Sequence, residues 1–405
     1  MSELSGAEQS HSEDAAALLA SPEAEGILVA ALGTIALPLD SWKLDAVHAR
    51  PGAEISATYD VVAGGETIYV VASTAELTPT ERERAGAVRL ESEKGVIHVW
   101  RHPHDPKLPG LSAVCTPPDL AARLTGIGWG QLEVTALAML VLRPMRRAVL
   151  RARIVRHSVE ETVYVKVLRP DRAALVLKRH SLATFAPQAF DAGDGIVVII
   201  AAAGTPLTEF LFHPDAKHDV KPMALLEALD SLDSAAMDLP RRSSPAELIG
   251  TYADAATSAG WDRAQIRVIA TAVADVLSES YGDIVATHGD FHAANVFVDD
   301  AEPPRVSALI DIDTLGPGLR VDDLACMLAH LYTLPTFDAA AYPSVPALSD
   351  QAFNAFAQQV PERQLRVRTA AVLVSLLTGC DDRARGQMWL DRALWLVGEQ
   401  ALSTR

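Results

Sequence analysis

Alternating hydrophobic and polar positions predict two β-hairpins in the first half of the chain. The segments ISATYDVV and TIYVVAS surround a glycine turn, and RAVLRARIV and TVYVKVL surround the polar turn HSVEE between residues 143 and 168. Each hairpin opens with Arg-Pro and closes with a Tyr-Val strand. This similarity indicates either a duplication or two unrelated hairpins built from the residue types that β-hairpins commonly use. The two differ at one informative position, because the second has Lys166 where the first has Val71.

Helical periodicity takes over after Lys166 and dominates the second half. The segment RAALVLKRHSLATF predicts a helix that ends near Phe185, and IVVIIAAA predicts a buried strand that breaks at Gly204. Apolar positions recur at helical spacing through residues 223–283 and again from Asp323 to the end. The pattern predicts an α+β protein with a disordered N-terminus at 1–24, a β-containing cap module at 25–125, a β-rich N-lobe at 126–203 and an α-rich C-lobe at 204–405.

Charge and cysteine content indicate which kinds of ligand the protein binds and in which cellular compartment it works. The 405 residues carry 35 Lys+Arg against 52 Asp+Glu, a net charge of −17, which disfavours nucleic acid and anionic membranes and favours a cationic small molecule. Three cysteines without a CxxC pair exclude a disulfide scaffold and a cysteine zinc site. The N-terminus lacks the pattern of a signal peptide, and no apolar run reaches the about 18 residues that a membrane span needs. We therefore expect a cytoplasmic protein.

The densest chemical signal is the run THGDFHAANVFVD at 287–299, followed by ALIDIDTLGPG at 308–318. Two short strands, VFV and ALI, predict a hairpin that holds Asp290, Asn295 and Asp311 at one end. A carboxylate and an amide oxygen are the hard ligands that Mg²⁺ prefers when it also binds phosphates. Phosphoryl transfer needs a base, ligands for the metal and a lysine that binds the phosphates. The sequence offers Asp290 as the base, Asn295 and Asp311 as metal ligands, and the strand lysine Lys166 for the phosphates.

The sequence HGDFHAAN followed by IDID resembles the aminoglycoside phosphotransferase and choline kinase family, a small-molecule branch of the protein-kinase-like fold. The front of the chain resembles the cap and intermediate subdomains of maltokinase-like members. The resemblance implies a bilobal kinase that uses ATP or GTP with Mg²⁺ to phosphorylate a hydroxyl of an aminoglycoside, amino sugar, sugar or amino alcohol. It also implies that the hinge residues Ile200, Ala201 and Ala202 meet the adenine through their backbone.

The sequence departs from that family in two places. Residues 171–185 contain no Glu to pair with Lys166, which keeps open a non-catalytic nucleotide-binding regulatory module as an alternative. No glycine-rich phosphate loop is visible, so we assign phosphate contact to Arg147, which follows Arg146 at the turn before the hairpin that carries Lys166.

Several side chains near the motif have competing interpretations. The alternation of His288, Asp290 and His292 also fits a zinc hydrolase, although a zinc site leaves Asn295 and Asp311 unexplained. In the kinase interpretation His288 shapes the loop, and His292 and Asp313 support the loop or face the substrate. The acids Asp322 and Asp323 precede an apolar helix, and we expect them to cap it.

Overall fold

The computed structural model of the chain describes residues 15–48, 54–92, 95–212, 220–279 and 281–398. Two compact units divide the chain, the first comprising Met1–Leu177 with Ala189–Ala201 and the second Lys178–Gln188 with Ala202–Arg405. Strands dominate the first unit and helices the second, so the predicted α+β class is confirmed. The division falls at residues 201 and 202, and the segment 178–188, which we expected in the N-lobe, belongs to the second unit.

One sheet of the first unit lies in the predicted cap module, and we call it the cap sheet. Its five strands are antiparallel in the order β1-β2-β3-β5-β4. Gly64 and Gly65 both have positive φ, which is why the predicted glycine turn closes the β2–β3 hairpin. The elements of the module are α1 (Ala24–Gly33), β1 (Leu39–His48), β2 (Ser56–Ala63), β3 (Glu66–Ser73), α2 (Pro79–Ala85), β4 (Val88–Ser92) and β5 (Gly95–Arg101).

Helical segments near the N-terminus cover one face of the cap sheet. Residues 15–20 are helical, and Leu19 and Leu28 are buried in the same core as Tyr59, whose hydroxyl donates to the Leu19 carbonyl at 2.7 Å. The expectation of a disordered segment over 1–24 therefore does not hold for residues 15–24, because their apolar side chains have a sheet to pack on. Residues 1–14 lie outside the described residues.

The second sheet of the first unit contains the hairpin that carries Lys166. Its five strands are antiparallel in the order β6-β7-β8-β10-β9. Alternation along β7 and β8 buries Leu150 and Val165 in one core with Leu120, so the predicted hairpin is confirmed. The elements are a 3₁₀ turn (Leu111–Ala113), α3 (Pro117–Leu124), a π turn (Thr125–Trp129), β6 (Glu133–Arg143), β7 (Arg147–Arg156), β8 (Val159–Leu168), α4 (Pro170–Ser181), β9 (Ala189–Asp191) and β10 (Ile196–Ile200).

The two sheets share one topology. In both, three antiparallel strands lead to a helix, and the last strand of the five pairs with the third. In the cap sheet Val71 lies opposite Trp100, and in the second sheet Lys166 lies opposite Val197. This agreement favours a duplication over two unrelated hairpins. The Arg-Pro pair that opens the first hairpin, Arg50-Pro51, lies outside the described residues.

The helix after Lys166 is shorter than its periodicity predicts. It ends at Ser181 instead of near Phe185, because the following residues are used for pairing. Ala183 forms a β-bridge with Leu232, and the Phe185 carbonyl accepts the Leu309 N–H at 2.9 Å.

Helices form most of the second unit. The central helix is α11, which packs against α7, α8, α9 and α12 and is buried on nearly all sides. Among the described residues, none of the helices combines the length and apolarity that crossing a membrane requires. The helices are α5 (Leu207–Phe210), α6 (Pro222–Asp230), α7 (Ile249–Ser258), α8 (Arg263–Leu277), α9 (Arg320–Thr333), α10 (Val345–Phe356), α11 (Glu362–Leu377) and α12 (Arg383–Gly398), with 3₁₀ turns at Ser234–Asp238, Ile312–Thr314 and Leu334–Thr336.

Short strands in the second unit position the motif residues. The predicted hairpin of VFV and ALI is present, with Val296 opposite Leu309. A separate pair joins the strands on either side of it, with Thr287 opposite Gly316. The strands are β11 (Thr205–Pro206), β12 (Ile284–Thr287), β13 (Val296–Val298), β14 (Val306–Leu309) and β15 (Gly316–Leu319).

Candidate active site

A sharp turn after β12 opens the loop that carries Asp290. Gly289 has φ +79°, and a Cβ there would lie 2.9 Å from the Thr314 carbonyl oxygen, so only glycine fits. The Thr314 hydroxyl donates to the His288 carbonyl at 2.7 Å. The turn is therefore closed from both sides by the segment that follows Asp311.

The carboxylate of Asp323 holds the same turn from the helix α9. Its two oxygens accept the N–H groups of His288 and Gly289, each at 2.8 Å, and the residue is 1% exposed. Burial raises the pKa of Asp323 to about 7. Its neighbour Asp322 accepts from Arg368 at 2.7 Å. The prediction that both acids cap the helix is wrong, since their oxygens bind a distant loop and a distant helix instead of the N-terminal N–H groups of α9.

His288 is fully buried under this loop, and both of its ring nitrogens are engaged. Nδ1 accepts the Asp290 N–H at 3.3 Å, so Nε2 carries the proton and donates to the Ile310 carbonyl at 3.1 Å. Burial lowers the pKa of His288 to about 4. A ring with both nitrogens bound to the backbone of the loop has no lone pair left for zinc. Among the described residues, no three His, Cys, Asp or Glu side chains are grouped to hold a metal.

Asn295 is oriented by its neighbours in the loop. Its Nδ2 donates to the Asp290 carbonyl at 2.9 Å and contacts His292 Nε2 at 3.0 Å. With the nitrogen held on that side, the oxygen Oδ1 is the atom that the amide offers to a cation. The His292 ring stacks on His330, with the ring centroids 4.2 Å apart.

The Asp290 carboxylate lies next to this amide, with Oδ2 3.5 Å from Asn295 Nδ2. Burial raises the pKa of the Asp290 carboxyl, and the negative charge of Asp311 raises it further. Burial also lowers the pKa of His292, which keeps that ring neutral beside Asp290. A carboxylate with a raised pKa has the basicity that proton removal from a hydroxyl requires.

Asp311 follows β14 with a positive φ of 53°, a backbone conformation that is costly for a residue with a Cβ. The N–H of the preceding residue, Ile310, donates to the Asn295 carbonyl at 2.9 Å, which ties the two predicted ligands together. The carboxylate oxygens of Asp290 and Asp311 and the amide oxygen of Asn295 are all hard ligands, and the charge of Asp311 raises the pKa of Asp290. The residues present therefore fit Mg²⁺.

Arg179, at the end of α4, is a supporting residue that no local sequence pattern marks. Its guanidinium is buried and donates to the carbonyls of Asp313 and, at 3.0 Å, Leu315. It therefore fixes the 3₁₀ turn that begins after Asp311. Through this turn Asp313 contributes its backbone oxygen to the loop, and its half-buried side chain remains a predicted substrate contact.

The first unit places two of the predicted cations on one face of a sheet. Lys166 is half-buried and lies opposite Val149, and Arg147 lies two residues before Val149 on the same face. The Arg147 Nε is buried and has no hydrogen-bond acceptor in the described part of the chain.

The predicted hinge begins where β10 ends, at Ile200. The Ala201 N–H donates to the Thr162 carbonyl at 3.0 Å and is engaged within the sheet. Gly204, which follows the predicted hinge, has φ +93°, and a Cβ there would lie 2.4 Å from the Val298 carbonyl oxygen.

Solved structures resemble this chain over about two thirds of its length. A thermostable mutant of aminoglycoside phosphotransferase APH(4)-Ia is 17% identical over 69% of this chain and 99% of its own, with a TM-score of 0.46. The macrolide 2'-phosphotransferase MphH from Brachybacterium faecium is 18% identical over 68% and 97%, with a TM-score of 0.41. An ethanolamine kinase from Plasmodium vivax is 13% identical over 65% and 83%, with a TM-score of 0.39. No curated protein matches the chain.

The model of one protein family, described as the phosphotransferase enzyme family, matches residues 147–366. This match spans more than half of the 405 residues, from the first residue of β7 to α11, and includes every predicted site residue. The front module lies outside it. This match confirms the predicted resemblance to the aminoglycoside phosphotransferase family and the assignment as a phosphotransferase. The chain belongs to the phosphotransferase enzyme family.

Proposed function

We propose that this protein is a small-molecule kinase that transfers the γ-phosphoryl group of ATP to a hydroxyl of an amino sugar, aminoglycoside, sugar or amino alcohol. The proposal depends on one observation above all, the convergence of Asp290, Asn295 and the strand end that carries Asp311. Hard oxygen ligands next to a carboxylate of raised basicity are what phosphoryl transfer to an alcohol needs.

Asp290 takes the role of the base. Its carboxylate accepts a hydrogen bond from the acceptor hydroxyl and orients the oxygen towards the γ-phosphorus. As the new O–P bond forms, the bond between the γ-phosphorus and the β–γ bridging oxygen breaks, ADP leaves with that oxygen, and Asp290 receives the hydroxyl proton. His292 and Asn295 hold the loop around it, since both lie within hydrogen-bond distance of one another. Asn295 Oδ1 and Asp311 would hold Mg²⁺, which when bound neutralises the charge on the phosphates.

Lys166 and Arg147 are assigned to the nucleotide phosphates. Both are cations on one face of the second sheet, where an anionic ligand would meet two positive charges. The hinge residues Ile200, Ala201 and Ala202 are assigned to the adenine. Because the Ala201 N–H is used within the sheet, we expect the N–H of Ile200 or of Ala202 to bind the base.

The acceptor is assigned by charge. A protein with a net charge of −17 attracts cations, so an amine-bearing hydroxyl compound is favoured over an anionic one. Turnover with each compound distinguishes amino sugars, aminoglycosides and amino alcohols as acceptors.

The proposal is tested by measuring ADP or GDP release with ATP or GTP, Mg²⁺ and a panel of acceptors that includes amino sugars, sugars, choline and aminoglycosides. Asp290→Ala should lower turnover by about 10²–10⁴-fold and leave nucleotide affinity unchanged, because the base acts on the acceptor. The matched control is Asp299→Asn, since Asp299 lies on the same hairpin and its carboxylate accepts backbone N–H groups of its own turn. Nucleotide binding without turnover on any acceptor would favour the regulatory alternative, and near-normal turnover by Asp290→Ala would refute the role of this residue.

A further inference from the structure

The turn between β6 and β7 is held by the cap module. At its tip Met145 has φ +60°, a conformation that costs a side-chain-bearing residue about 1 kcal/mol or more. Its side chain is 2% exposed and packs into a cluster of cap residues, Val71, Ala75, Ala85 and Trp100, which we call the cap seat. A strained residue persists when its surroundings determine its conformation, and here the cap seat does so.

Asp105 fastens the same turn. Its carboxylate is 5% exposed and accepts three backbone N–H groups. Oδ1 accepts Lys107 at 2.9 Å and Leu108 at 3.1 Å, which are local contacts, whereas Oδ2 accepts Met145 at 2.8 Å, 40 residues along the chain. One buried carboxylate thus joins a loop of the cap module to the turn. An ion pair between Glu54 and Arg146 at 3.5 Å adds a second link.

The shared topology of the two sheets shows which face of the cap sheet corresponds to the face that carries Lys166. Val71 occupies the position in the cap sheet that Lys166 occupies in the second sheet, and its cross-strand partner is Trp100. On the second sheet this face carries the phosphate cations. On the cap sheet it is apolar and is filled by Met145.

We propose that Asp105 and the cap seat are positioning elements for nucleotide binding, holding the Arg143–Arg147 turn so that Arg147 meets the phosphates. Arg147 is the first residue of β7 after this turn, and it shares a sheet face with Lys166. Its guanidinium is presented by the backbone that Asp105 and Met145 fix. The inference rests on the proposed function, since it assumes a nucleotide that Arg147 binds.

The decisive variant is Asp105→Asn. The retained Oδ1 keeps the bonds to Lys107 and Leu108, while the new amide nitrogen faces the Met145 N–H and removes only the tie to the turn. Titration calorimetry with ATP–Mg²⁺ should give about tenfold weaker binding, and the affinity for adenosine, which lacks phosphates, should be unchanged. Asp191→Asn is the matched control, because Asp191 binds a backbone N–H in an unrelated turn of the same unit; its ATP affinity should equal that of the wild type.

A second route does not depend on Asp105. Met145→Gly removes the side chain from the cap seat and relieves the positive φ, so the variant should fold and bind ATP–Mg²⁺ about tenfold more weakly, whereas Met145→Leu should restore the affinity. In an Arg147→Ala background, Asp105→Asn should have no further effect on ATP binding.

The results that would overturn this inference differ from those that would overturn the kinase proposal. Wild-type ATP affinity in both Asp105→Asn and Met145→Gly, an equal loss of adenosine affinity, or additivity with Arg147→Ala would overturn the inference and leave the kinase proposal intact. A wild-type protein that binds neither ATP nor GTP would overturn the kinase proposal, and the inference with it.

Discussion

Substitution of Asp323 by Asn separates the structural and electrostatic roles of the carboxylate that anchors the catalytic loop. The amide keeps one oxygen for one of the two N–H groups and places its nitrogen against the other, so a buried donor loses its acceptor. The turn that carries Asp290 should then relax. Because a misplacement of about 1 Å in a reacting group costs on the order of 100-fold in rate, we expect turnover to fall by about that factor while nucleotide affinity is kept.

The same substitution has a calculable effect on stability. Burial raises the pKa of Asp323 from its ordinary 3.8 to about 7, so between these pH values the folded state binds more protons than the unfolded state. The stability that this carboxyl contributes is therefore present at low pH and lost as the pH rises through 7. About two pKa units of the shift fall between pH 5 and pH 8, which corresponds to about 3 kcal/mol.

Urea unfolding of the wild type and of Asp323→Asn at pH 5 and pH 8 measures this difference. Relative to the variant, the wild type should lose about 3 kcal/mol of unfolding free energy on going from pH 5 to pH 8. A difference between the two proteins that does not change with pH would refute the raised pKa. Full turnover by Asp323→Asn would refute the anchoring role of the carboxylate, whatever the unfolding data show.

Three further outcomes follow from the site. Asp311→Ala should weaken Mg²⁺–nucleotide binding in titration calorimetry and leave binding of metal-free nucleotide unchanged; equal affinities with Mg²⁺ would count against Asp311 as a ligand. Gly289→Ala should lower the thermal midpoint and abolish ADP release, because its Cβ would lie 2.9 Å from the Thr314 carbonyl oxygen at a positive φ, and a stable, active variant would contradict the close packing. Burial lowers the pKa of His330 to about 3, so the folded protein loses stability as the pH falls below 6.5, where the unfolded chain binds the proton. In urea unfolding, His330→Phe should reduce the loss of unfolding free energy between pH 7 and pH 5 by about 2 kcal/mol, and an unchanged loss would refute the lowered pKa.

Sequence alone predicted the parts of the fold that depend on local pattern. The β7–β8 hairpin and the short β13–β14 hairpin follow from alternating apolar positions and from turn residues, because each strand pairs with its neighbour in the chain. The loop between His288 and Asn295 could be placed for the same reason, since β12 and β13 enclose it.

Local sequence patterns could not predict contacts between segments that are distant in the chain. Asp323 has the spacing of a helix cap, yet its oxygens bind N–H groups 34 and 35 residues earlier in the chain. Arg179 lies in the last turn of a helix, where a basic residue is ordinary, and yet it binds carbonyls 134 and 136 residues away. Nothing within a few residues of either position reports the partner, because the partner is set by tertiary packing.

Two versions of one five-stranded unit within a single chain provide an internal reference for later mutagenesis. Positions at which the versions agree, such as Val70 and Val165, report what the architecture requires, since both side chains are buried in their sheets. Positions at which the two versions differ, above all Val71 and Lys166, point to side chains that serve a function in one sheet and have no such function in the other. Comparing a change at one position with the same change at its counterpart would therefore distinguish damage to folding from damage to activity without recourse to any other protein.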